Sequence, residues 1–461
     1  MTRRALPRPR SFLVGISLLT LLSLSGRALA HAGGVRGAGA GSLAVPTWLF
    51  LATGGGVIGA SFLLASFVTD RAYVRRLDAW GDVVGGPGRL VTLAGRALGL
   101  GALALVLVAG AFGPDVGGRN AAVLLVWVAW WGAYVATAYL VGDAWPVVNP
   151  FRTIAIALPS IDRPYPDSWG RWPAVVGLLA LVYLEVVTPL ADDPRLLTAV
   201  VVAYGLVSLA GSVVFGAGTW FANADPVSRL LAAYGRVAPL ARTDDGLRLR
   251  LPGMGLTDAG WMRGRCDVAF VVAVLFVTTF DGFVGTAAWA EFARALFLAG
   301  LHPLVIYATG MVGGFALFLA AYLAAVRAAR RYADTFVSTA ALARRFAPSL
   351  LAIAAGYHLA HNLGSVLALA PTLVTVVAAP LSPPPSPPQL VVPGWFGGVG
   401  IAAVLAGHLL AVWVAHATAY DLFPDRLQAI RSQYGVTAAM VAYTMVSLWI
   451  ITRPGGAPPF V

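Results

Sequence analysis

Four histidines fall inside two apolar stretches, where an ionisable side chain is costly and by default marks function. One stretch reads Gly356-Tyr357-His358-Leu359-Ala360-His361-Asn362. The other runs from Gly407-His408 to Ala415-His416. Two His at i and i+3 lie on one helix face and can point at a common atom. Counting ~1.5 Å per residue from the predicted helix ends puts His358 and His361 ~17 and ~21 Å deep, and His408 ~17 Å deep on the following helix. His416 falls near the inner surface. Two acids reach the same layer, Glu185 at ~18 Å and Asp281 at ~22 Å.

Imidazoles with a carboxylate suit copper, zinc, iron or nickel. Each neutral His binds through one nitrogen while a partner such as Asn362, Tyr357 or an acid orients the other. The expected ligands are His358, His361 and His408. Asp281 or Glu185 would be the fourth ligand, orienter or proton carrier, and His416 is a weaker member. The same residues could instead form a proton or ion relay, or hydrogen-bond the helices together. Haem is also open, as one b-type group bridging the two helices. Stacked haems need ligands ~20 Å apart on one helix, and the eight residues from His408 to His416 give only ~12 Å.

The elements that must position these groups are membrane helices. The chain has 461 residues, 59% of them hydrophobic and 11% charged, with a mean hydropathy of +0.79. A soluble domain carries about a quarter charged residues. Residues 1–30 have the basic head, apolar run and Ala28-Leu29-Ala30 exit of a secretory signal peptide. Cleavage there would leave His31 at the mature N-terminus, where its amino group and ring could chelate one copper ion, with His302 the external candidate partner.

Ten further apolar stretches approach the ~20 residues that cross a bilayer: 46–69, 91–113, 121–142, 173–191, 197–219, 267–287, 303–326, 347–373, 396–419 and 436–452. The expected fold is therefore an all-α polytopic bundle of about ten spans in the plasma (inner) membrane of a prokaryote. With His31 outside, 22 of the 27 arginines after the signal lie on cytoplasmic loops. That positive-inside bias puts both mature termini outside. It also makes the net charge of +12 a matter of topology, with no nucleic-acid partner implied. The cytoplasmic loop 220–266 offers an amphipathic stretch, Val227 to Leu240, then an alternating strand pattern at Leu247–Leu251. No phosphate-binding loop, dinucleotide glycine motif, His-Glu-x-x-His or Gly-x-Ser-x-Gly occurs.

With these pieces located, the chain resembles a family of bacterial and archaeal polytopic membrane proteins of unestablished role, some labelled fenitrothion hydrolase. The likeness rests on His31-Ala32-Gly33-Gly34, Trp145 to Arg152, Thr279-Phe280-Asp281-Gly282, Tyr357 to His361, Gly407-His408 to His416, Arg431-Ser432-Gln433 and Tyr443 to Trp449. It implies a similar multi-span fold centred on the His-bearing helices. The leading expectation is a metal-handling or transporting membrane protein, copper foremost. A metal-dependent hydrolase, a b-type haem protein and a metal-free proton- or ion-coupled transporter are the alternatives. Whether any reaction is catalysed stays open.

Overall fold

The computed structural model describes residues 47–460 apart from Pro87, Asp244, Ala259, Pro454, Gly455 and Ala457. The expected signal peptide and His31 lie outside the described residues. Long helices occupy all ten apolar stretches: α1 Thr47–Ala65, α2 Arg89–Phe112, α3 Ala121–Leu140, α4 Trp172–Val187, α5 Pro194–Phe215, α6 Arg265–Val284, α7 Pro303–Ala333, α8 Leu350–Ala378, α9 Gly397–Leu422 and α10 Tyr434–Ile451. Their starts carry ordinary helix chemistry. Asn120 and Asp193 cap α3 and α5 through their side chains, and Pro194 and Pro303 open α5 and α7.

Nine of the described helical segments are long and apolar enough to cross a membrane. The exception is α4. Its 16 residues cover only ~24 Å, because Thr188 and Pro189 turn the chain into an extended conformation before a full span is complete. The expected tenth span is thus a shorter helix.

Helix α6 is the axis of the bundle. Apart from its ends it is buried all round, from Asp267 through Phe280, and it packs on α4, α7 and α8. Such a helix has no amphipathic face to read. Helices α8 and α9, which carry the four histidines, form the most extensive contact between elements among the described residues. They meet at Gly356 and Gly407. A Cβ on Gly407 would lie 2.5 Å from the Ala352 carbonyl oxygen and 3.0 Å from the Gly356 Cα, so backbone touches backbone. Gly407→Val is expected to push the helices apart at a cost of about 1–3 kcal/mol. Thermal unfolding in detergent checks this, and an unchanged midpoint would contradict so close a crossing.

The segment 220–266 folds over the Arg-rich end of the bundle. It comprises helices Ala217–Asn223 and Pro226–Tyr234 and a two-stranded hairpin, β1 Leu240–Thr243 with β2 Gly246–Leu249. Asp267, in the first turn of α6 and 1% exposed, fastens this cap. One carboxylate oxygen accepts from the Arg263 and Gly264 amides at 2.8 and 2.9 Å. The other pairs with Arg171 and, at 3.5 Å, with Arg229. Burial first, then repulsion from Arg171, pulls the Arg229 guanidinium down to about 10.

Just beyond α3, the Asp143 carboxylate accepts from the Trp145 amide at 2.9 Å. Burial nevertheless holds its carboxyl up at about 6. A raised carboxyl favours the fold most below the unfolded value near 4, and that advantage is lost as pH rises through about 6. Stability in detergent should therefore fall by up to about 2 kcal/mol between about pH 4 and 7, allowing for partial exposure. Asp143→Asn should flatten that slope.

Candidate functional site

The polar groups predicted for the membrane interior come together where α3, α4, α6 and α8 meet. Glu185 of α4, Asp281 of α6, and His358 and His361 of α8 line one cavity, closed by Trp131, Tyr357, Thr278 and Asn362 among others. Its volume is about 20 Å³, counted at the centre of a water-sized sphere. A single water needs ~10–15 Å³ by that measure, so there is room for one water or one small ion.

His361 Nε2 stands 3.2 Å from Asp281 Oδ2, an ion-pair distance, and its ring stacks parallel to Tyr357. His358 is 2% exposed. Its Nδ1 shares a hydrogen bond of 2.9 Å with the Tyr139 hydroxyl, while its Nε2 makes none. Edge-on contacts with Trp131 and Tyr139 fix the ring plane. Asn362 donates back to the His358 carbonyl at 3.0 Å, inside its own helix. Glu185 is the outlier: it has neither a hydrogen bond nor an ion pair among the described residues.

Trp131 and Tyr139 reach His358 together because α3 is not a regular helix. Residues Leu125–Tyr134 wind as a π-helix, with hydrogen bonds to i−5 and a wider turn, a feature concentrated at functional sites. At about 4.4 residues per turn, the wide stretch brings Trp131 closer to the Tyr139 face than a uniform α-helix would.

Glu185 also borders a second, larger space. With Trp131 and Val182 it lies on the wall of a cavity of about 450 Å³ between α2, α3, α4 and α5. The rest of that wall is apolar and aromatic, and the rings of Trp130, Tyr134 and Trp145 pack together on it.

The other predicted residues lie elsewhere. His408 is fully buried on α9, but it does not line the polar cavity. Its Nδ1 must be the protonated nitrogen, since it faces the Val404 carbonyl oxygen at 2.8 Å, one turn back on its own helix. His416 donates from Nε2 to the Val68 carbonyl at 2.9 Å and packs its ring at a tilt against Tyr420, tying α9 to the chain just beyond α1. His302 caps α7 by accepting from the Leu304 amide at 3.3 Å. Among the described residues, no three His, Cys, Asp or Glu are grouped so as to hold a metal ion. The triad of His358, His361 and His408 is not assembled around one point.

Tyr139 and Trp131 were not among the residues singled out in the sequence. A lone Tyr near the end of an apolar span reads as an interfacial anchor, and nothing in Leu125–Tyr134 announces a π-helix. No family model, curated protein or solved structure matches the chain.

Proposed function

We propose that this is a multi-pass membrane protein of the prokaryotic plasma membrane that couples transport to the binding of one cation, the proton foremost, at the Glu185–Asp281–His361–His358 cavity. Its Arg-rich end faces the cytoplasm and both mature termini face outward. The observation that carries this reading is Glu185, an intramembrane carboxylate without a bonded partner, opening on the same cavity as a second carboxylate and two imidazoles.

In lipid such a group is lowest in energy near electrical neutrality. Two carboxylates and two imidazoles can reach that balance in several ways that differ only in where a proton sits, and one water between them suffices to move it. Glu185 borders both cavities, so its charge bears directly on any occupant of the apolar one. That is the physical requirement for coupling.

A transition-metal ion, copper, zinc or iron, is the second reading. It is favoured by His358, whose Nδ1 is held by Tyr139 while Nε2 is left without a bond, the arrangement of an oriented metal ligand.

Infrared difference spectra of the purified protein between about pH 4 and 9 test the first reading. A carboxyl band that titrates in the wild type and is lost in Glu185→Gln or Asp281→Asn is expected. No such band would overturn it. Elemental analysis of the same samples decides the second. Near-stoichiometric metal, lost in His358→Ala and His361→Ala, would replace the proton with a metal ion.

A further inference from the structure

Away from the membrane site, the Arg-rich end of the bundle holds a polar cavity of about 670 Å³. It is enclosed by the helix Arg71–Asp78, the β1–β2 hairpin, the turn at 254–258, the helix Thr339–Phe346 and the foot of α9. Seven arginines and three aspartates line it, an excess of four positive charges.

The aspartates account for little of that charge. Asp258 pairs with Arg236 at 3.7 Å, and Asp421 with Arg345. Asp78 is taken up by the Thr257 hydroxyl at 2.5 Å. The remaining five arginines make no ion pair among the described residues. Arg71 donates to the Phe423 and Pro424 carbonyls, and Arg248 to the Ala79 carbonyl at 3.1 Å. Arg250 donates to the carbonyls of Ala238, Gly235 and Arg236 at 2.9–3.1 Å. Carbonyls fix a guanidinium in place without cancelling its charge. Arg75 and Arg242 have no hydrogen bond or ion pair among the described residues.

Such convergence is unfavourable when the cavity holds only water. Burial, then repulsion from Arg236 and Arg248, brings Arg250 down to about 10. The positive-inside rule explains why arginines lie at this end. It gives no reason for seven of them to face one cavity of small-molecule size.

We infer that this cavity binds a phosphate-bearing anion. Planar guanidiniums match phosphate oxygens in pairs, and three of them are positioned before the ligand arrives. The phosphate comes from a soluble phosphorylated molecule or from the headgroup of an anionic phospholipid of the adjoining leaflet.

The test uses the full chain in a neutral detergent and follows its thermal unfolding. Inorganic phosphate is titrated against sodium chloride at matched ionic strength, and in parallel the detergent is doped with phosphatidic acid. A saturable stabilisation by phosphate beyond that of chloride supports a soluble ligand. Stabilisation by phosphatidic acid alone assigns the site to a lipid headgroup. The double variant Arg75→Gln/Arg242→Gln removes two guanidiniums that make no hydrogen bond or ion pair among the described residues. Its unfolding without added anion should come at or above the wild-type temperature, since two repelling charges are gone, and its midpoint for either anion should rise at least tenfold. Stabilisation no greater than with chloride, or equal in the double variant, overturns the inference.

Discussion

Asp267→Ala should be the most damaging single substitution in the chain. The carboxylate is 1% exposed and serves four donors: two backbone amides and the guanidiniums of Arg171 and Arg229, both 8% exposed. Its removal strands two buried like charges with no remaining acid between them. Breaking a buried pair from one side costs about 3–5 kcal/mol, and two lost amide partners add to that. The expected result is a protein that fails to accumulate or unfolds at much lower temperature. Asp267→Asn keeps some of the amide hydrogen bonds and should fall between. The origin of the loss has its own check: Arg229→Met in the Asp267→Ala background should recover part of the stability by removing one stranded charge. No recovery would mean that the cap is held by packing alone.

Glu185→Leu should act in the opposite direction, which is unusual for an interior position. The carboxylate has no bonded partner, so its loss orphans nothing, and Leu is close to it in size. An ionisable group costs up to about 2.5–3.5 kcal/mol at the centre of a membrane helix and less toward its ends, and Glu185 lies in the last turn of α4. The variant is therefore expected to be more stable than wild type by about 1–3 kcal/mol, a rise of a few degrees, while losing the titrating carboxyl and with it any coupled transport. Stability given up to keep an active group is the usual signature of function. If the variant is instead destabilised, Glu185 is a structural group and the transport reading loses its main support. Asp281→Leu makes the useful contrast, since it leaves His361 Nε2 without its acid and should gain less.

Much of this was legible in the residues. Apolar runs of membrane length mark ten helices, most to within a few residues, because in lipid the backbone has little alternative to satisfying itself; α7 runs seven residues past its apolar stretch, to Ala333. Pro189 within the fourth run was the visible reason for a short helix there. Depth arithmetic was informative for the site as well. Glu185, Asp281, His358 and His361 were assigned to one layer and line one cavity. His408 was assigned to the same layer and does not join them, because depth is one coordinate and the direction a side chain faces is another. Gly407 turns its own face of α9 toward α8, and His408, one residue on, points away along a different radius. The basic cavity was hidden for a related reason. Its arginines come from segments near 71–75, 236–250 and 345, each of which reads alone as an ordinary interfacial anchor, and only the folded cap brings them together.

The π-wound part of α3 has a consequence of its own. Its ten residues make only the turns that about eight would make in an α-helix, so it stores about two surplus residues of register between two α-helical ends. Such a surplus can travel along a helix, converting wide turns to narrow ones behind it, while both ends stay where the neighbouring loops hold them. As it passes Trp131, which lines both cavities, the indole would turn relative to the His358 ring it now meets edge-on. The shared wall of the two cavities would then shift by a wave in the winding of one helix, requiring no tilt of any span. A fluorinated Trp131 would report it as two resonances that exchange with pH, and removing the two surplus residues from Leu125–Tyr134 should leave a single one.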